Sequence, residues 1–129
     1  MITNKNINKE NYQMKLSVII PFYDELKLIN RAVNSVLINS AFFDKVEIIL
    51  INDGSLEESV IRTYFDNNFN KLIKIIPNNY SKGPGGARNT GLDILKGDII
   101  AFLDADDFWL PRKLETQIKG LEEQEHTEN

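Results

Sequence analysis

Cysteine is absent from the 129 residues, and histidine occurs once, as His126 in a polar stretch near the end. These two shortages exclude disulfide staples, thiolate metal sites, cysteine nucleophiles, histidine triads and multi-histidine zinc sites. Any metal must therefore be held mainly by oxygen ligands, which favours magnesium or manganese. Long apolar runs are lacking as well. No segment reaches bilayer-crossing length, and Met1 to Met14 is rich in Asn and Lys without an apolar signal core. A cytoplasmic location is the resulting expectation. Nor is there an excess of positive charge: the formal net charge is -4, so no general attraction to nucleic acid or anionic lipid is expected.

What is present is an ordinary globular composition, 42% hydrophobic and 26% charged, in a length that suits one domain with one core. Leu16 to Ile20, closed by Pro21, is a near-continuous β-branched run of the kind buried on both faces of a parallel sheet. Leu26, Ile29, Val33, Val36 and Leu37 then recur at helical spacing, with Asp24 in position to cap. Val46 to Ile51 predicts a second strand, stopped by Asn52, Asp53, Gly54 and Ser55. A helix is expected over Leu56 to Phe69, a strand over Leu72 to Ile76, and a short helix over Ala87 to Leu95 ended by Gly97. Ile99 to Leu103 predicts a fourth strand, and Pro111 opens a last helix with Leu114, Ile118 and Leu121 on one face. Residues 1–14 are expected to be a flexible tail, 15–121 the domain, and 122–129 a fraying polar tail.

Strands alternating with helices predict an α/β fold: an open, mostly parallel sheet with helices on both faces. Ligands of such sheets sit beyond the carboxyl ends of the strands. Every unusual loop falls at such an end. Asp104, Asp106 and Asp107 follow the fourth strand, and in an extended segment residues two apart face the same side, so Asp104 and Asp106 can share one cation. Capping of the last helix is the competing role for these acids. Asp53 can accept a hydrogen bond from a base or a ribose, or cap a helix alongside Ser55, and Gly54 permits the sharp turn. Ser81 to Gly91 combines closely spaced glycines with Lys82, Arg88 and Asn89 at a helix start, an arrangement suited to anions or to a merely flexible loop. Pro21, Phe22 and Tyr23 can flank a base or simply stop a strand, and Trp109 is expected to pack under the last helix.

Taken together, LSVIIPFYDE (Leu16 to Glu25), VNSVL (Val33 to Leu37), VEIILINDGS (Val46 to Ser55), GPGGARNTGL (Gly83 to Leu92) and GDIIAFLDADDFWLPRKL (Gly97 to Leu114) resemble the inverting, nucleotide-sugar-dependent glycosyltransferases of family 2. The resemblance implies a GT-A fold, of which this chain is the Rossmann-like nucleotide-binding half. It implies transfer of a sugar from a nucleoside diphosphate donor, a UDP-sugar, to an acceptor hydroxyl, as in bacterial-type cell-surface polysaccharide synthesis. By that resemblance Pro21 and Tyr23 lie beside the nucleoside, Asp53 bonds the base, and Arg88, Asp104 and Ala105 lie along the donor. Asp104 and Asp106 match the Asp-x-Asp motif, which holds manganese or magnesium on the diphosphate. Asn52 departs from the acid common at its position. The acceptor, a glycan or a lipid-linked one, and the catalytic base are expected from a further half that this chain lacks, at the inner face of the membrane; a homo-oligomer is compatible with this. The alternatives are a noncatalytic nucleotide-sugar-binding or assembly module and, behind it, a nucleotidyltransferase.

Overall fold

The computed structural model describes residues 2–4, 14–65 and 70–127. Its strands in chain order are Ile2–Asn4 (β1), Lys15–Phe22 (β2), Lys45–Asn52 (β3), Ile73–Pro77 (β4) and Ile99–Phe102 (β5). Its helices are Leu26–Asn39 (α1), Glu58–Arg62 (α2), Pro84–Ile94 (α3) and Lys113–Thr127 (α4). The strands form one sheet in the order β1-β5-β2-β3-β4, parallel throughout except that β1 runs antiparallel to β5. The open, mostly parallel α/β sheet expected above is thus observed.

The pleat explains why β2 and β3 carry apolar residues at nearly every position. Leu16, Val18, Ile20 and Phe22 join Ile48 and Leu50 on one face, where Ile29, Val33, Leu114 and Ile118 of α1 and α4 cover them. Ile19, Ile49, Ile51 and Ile100 point to the other face and meet Ala87 of α3. Ala87 and Gly91 are four residues apart on α3, and a methyl at Gly91 would run into the Ile19 side chain. Small residues on that stripe let α3 lie close to the sheet.

From β2 the chain steps outward through α1 and α2 to β4, then returns across β2 through α3 to β5. Right-handed crossovers in opposite directions place α3 on the opposite face from α1. The reversal makes the crevice between the carboxyl ends of β2 and β5 the switch point of the sheet.

Several boundaries differ from expectation. Pro21 does not end its strand but pairs with Ile51 inside β2. Ile19 bonds toward β5 and is the last residue in that ladder, so the side to which Pro21 would donate is already unpaired. Asp24 does not cap α1: Glu25 stands at the cap, and its carboxylate accepts the Tyr23 N–H at 2.6 Å. The helix expected from Leu56 starts at Glu58, with Glu57 rather than Ser55 at its cap, and Phe69 lies outside the described residues. The last helix begins at Lys113, two residues after Pro111, because Arg112 takes a left-handed φ of 66°. It continues to Thr127, correcting the expected tail, since Glu and Gln favour helix. The side chain of Leu121 lies outside the described residues. At the other end Ile2–Asn4 is an edge strand, where a flexible tail was expected, because β5 offered an open ladder; residues 5–13 lie outside the described residues.

The amino end of the sheet is tied by Glu47. Its carboxylate accepts from the Ser17 hydroxyl at 2.5 Å, Lys74 Nζ at 2.9 Å and the Lys96 N–H at 2.6 Å, while Ser17 accepts the Gly97 N–H at 2.8 Å. Burial alone would raise the Glu47 pKa, but the bonds from Ser17, Lys74 and Lys96 outweigh it and hold it below the usual 4.5. A depressed folded-state pKa contributes stability that is complete above the unfolded value and is lost as pH falls through the folded one. Chemical denaturation from pH 7 to pH 3 should therefore show wild type losing its advantage over Glu47→Gln below about pH 4.5. A constant difference across that range would contradict the role.

Candidate functional site

Four loops meet beyond the carboxyl ends of β2, β3, β4 and β5. Pro21, Phe22, Tyr23, Glu25, Asp53, Gly83, Pro84, Arg88, Asp104, Ala105 and Asp106 line one cleft of about 400 Å³ at the switch point. Every residue singled out above for the donor or the metal therefore borders a single space. Asn89, Asp107 and Trp109 instead line an adjoining cleft of about 560 Å³, whose shared wall is Arg88 and Asp104. Trp109 is buried in the core with Leu114 and Ile118, as expected of a residue packed under the last helix.

Asp53 stands just past β3, and its carboxylate latches the loop after β4. Oδ2 accepts the Gly83 N–H at 2.8 Å, and Oδ1 accepts from Asn78 Nδ2 at 2.8 Å. Gly83 has φ 115°, a left-handed conformation that a side chain would strain. Asn78 is fixed in turn by the Thr90 hydroxyl, which donates to its Oδ1 at 2.8 Å. A carboxylate has about four acceptor positions, so two remain for a ligand N–H or O–H. Asn52 spends its side chain on the turn, accepting the Gly54 N–H at 3.0 Å and donating to the Leu56 carbonyl at 2.7 Å. Gly54 is required there because a methyl would strike the Tyr23 carbonyl and the Asp24 carboxylate.

Residues 104–107 form a turn rather than the expected extended segment, closed by the Asp107 N–H donating to the Asp104 carbonyl at 3.0 Å. Ala105 is buried beneath it, and Asp104 and Asp106 border the cleft. Asp107 turns its carboxylate onto the Phe108 N–H at 2.8 Å. Arg88 donates to Asp104 Oδ1 at 3.2 Å, and its Nε is buried with no hydrogen-bond partner among the described residues. Lys82 lies 5.7 Å from the centre of the Tyr23 ring, adding a cation nearby. Among the described residues no three acidic or imidazole side chains gather as a metal cage. The donor set fits a hard cation held by one or two carboxylates and completed by phosphate oxygens.

Residues 17–127 match the sequence profile of glycosyl transferase family 2. The chain belongs to that family. An uncharacterized glycosyltransferase of Nostoc sp. is 40% identical over 104 residues, which are 79% of this chain and 31% of that protein. A UDP-Glc:alpha-D-GlcNAc-diphosphoundecaprenol beta-1,3-glucosyltransferase of Escherichia coli is 39% identical over 109 residues, 83% of this chain and 41% of that protein. S. aureus TarS in complex with UDP-GlcNAc superposes with TM-score 0.66 and 26% identity, covering 85% of this chain and 32% of that one. The chain thus spans less than half the length of each of these proteins.

The motifs assign no role to Asn78, Thr90, Arg31 or Asn39, although Thr90 falls within GPGGARNTGL. Arg31 donates to the Asp106 carbonyl and Asn39 bonds Leu110 and Leu114, so both act across the fold. Only the helical register of α1 hinted at Asn39, a polar residue on a buried face.

Proposed function

We propose that this chain is the donor-binding half of a metal-dependent, inverting glycosyltransferase using a UDP-sugar. The observation that carries it is the convergence of Asp53, Arg88, Asp104 and Asp106 on one cleft at the sheet's switch point. Tyr23 offers an aromatic face for the base, and Asp53 accepts an imide N–H without leaving the loop it latches. Arg88 brings a guanidinium to the cleft wall for phosphate or sugar oxygens. Asp106, and Asp104 once its bond to Arg88 is shared, would hold manganese or magnesium. That ion supplies charge neutralisation for the departing diphosphate. Acceptor deprotonation is assigned elsewhere, because Asp53 is committed to the loop and Asp104 to Arg88.

The diphosphoundecaprenol acceptor in the Escherichia coli relative's name supports a lipid-linked acceptor here too, and we place the reaction at the cytoplasmic face of a membrane. No helix among the described residues is long and apolar enough to cross a membrane.

Calorimetry across UDP, CDP and ADP with manganese present tests the base assignment. UDP should bind most tightly, and Asp53→Ala should weaken it about tenfold or more, as expected for a hydrogen bond to a charged group. Equal affinity of wild type and Asp53→Ala would contradict the assignment.

A further inference from the structure

Next to the acidic turn, α1 holds residues 106–114 at two points. Arg31 donates from Nη2 to the Asp106 carbonyl oxygen at 2.8 Å, and its guanidinium lies 4.8 Å from the Phe108 ring centre. About two turns further along, Asn39 is 4% exposed, donates to the Ser35 carbonyl at 2.8 Å and the Leu110 carbonyl at 3.1 Å, and accepts the Leu114 N–H at 3.2 Å. The two residues do different work. Asn39 is a buried cap for α4, joined to the core. Arg31 reaches an exposed turn, bonding the backbone of the cleft residue Asp106 without itself lining the cleft.

We propose that Arg31 is a positioning residue for the metal-binding carboxylates, an inference that rests on the donor-site assignment above. Asp104, Asp106 and Asp107 are like charges in one short turn, and without a counter-ion they repel. The peptide that joins Asp106 to Asp107 is held at both of its polar groups: its N–H donates to the Asp104 carbonyl at 3.0 Å and its carbonyl oxygen accepts from Arg31 at 2.8 Å. Rotation of that peptide swings the Asp106 side chain relative to Asp104. A charge-assisted bond to the carbonyl oxygen, with the guanidinium stacked on Phe108, fixes the peptide before any cation arrives. The ordering is then built in and is not taken from the binding free energy.

The effect belongs to the manganese-dependent part of nucleotide binding. Calorimetric titration of UDP with manganese and again with EDTA, on wild type, Arg31→Ala, Arg31→Lys and Asn39→Ala, separates it, with thermal melts alongside. Arg31→Ala should reduce the manganese-dependent gain in affinity about tenfold while leaving metal-free UDP affinity within about twofold and the melting midpoint within about 2 °C. Arg31→Lys should recover part of the gain, because it keeps the charge but not the planar stack. Asn39→Ala should instead lower the midpoint by several degrees, as a lost buried cap does. An unchanged gain in Arg31→Ala would overturn the proposal, as would an increased one, which would mean the guanidinium merely opposes the cation. A parallel loss of midpoint and of both affinities would reduce Arg31 to a structural residue and overturn it too. Absence of any manganese-dependent gain in wild type would instead overturn the donor-site assignment itself.

Discussion

Gly86→Ala should melt about 10 °C below wild type and lose UDP binding, while Gly85→Ala keeps both. The two glycines are neighbours in the first turn of α3, and helix propensity would favour alanine equally at each. Their surroundings differ. A methyl at Gly85 meets nothing within 4 Å. A methyl at Gly86 falls on the Ser81 carbonyl oxygen, a backbone atom that cannot turn aside. Ser81 also accepts from Asn78 Nδ2 at 3.1 Å, and Asn78 and Gly83 are the two donors to Asp53. Displacing Ser81 therefore loosens the latch on the wall of the cleft as well as the start of α3. Overpacking of this kind costs about 1–3 kcal/mol, and for a domain of this size each kcal/mol moves the midpoint by roughly 3–5 °C. Thermal melts and UDP titrations of the pair check both halves of the expectation; equal behaviour of the two variants would contradict it.

Asp106→Ala should abolish the manganese dependence of UDP binding, bringing affinity in manganese down to the metal-free level, a fall of about a hundredfold. Among the described residues, the Asp106 carboxylate has no hydrogen-bond or ion-pair partner, unlike those of Asp104 and Asp107. Asp104 is shared with Arg88, and Asp107 is spent on the Phe108 N–H. Asp107→Ala should accordingly leave the manganese dependence in place. Titration of the two variants side by side measures the contrast, and a larger loss in Asp107→Ala would move the cation to the adjoining cleft that Asp107 lines.

Asp53 and Asp104 were legible because each stands just beyond an apolar run of strand character. Asp53 follows Val46 to Ile51, and Asp104 follows Ile99 to Leu103, so strand and ligand candidate are read together. The alternation of strands and helices likewise led directly to the parallel sheet. Arg31 and Asn39 were not legible, because their partners Asp106 and Leu114 are each 75 positions away. No local pattern encodes which carbonyl a helix will face after folding. Boundaries failed for a related reason. Pro21 would end a strand paired on both sides, but the β5 ladder stops short of it, a fact of register rather than of composition. The edge strand Ile2–Asn4 depends in the same way on β5 having an open side.

The most direct test of the donor site is a calorimetric titration of the wild-type chain with UDP, once with manganese and once with EDTA. Saturable one-to-one binding that tightens by about a hundredfold when manganese is present is the expected result. No binding of UDP, or binding indifferent to manganese, would contradict the assignment of this cleft to a metal-bridged nucleoside diphosphate.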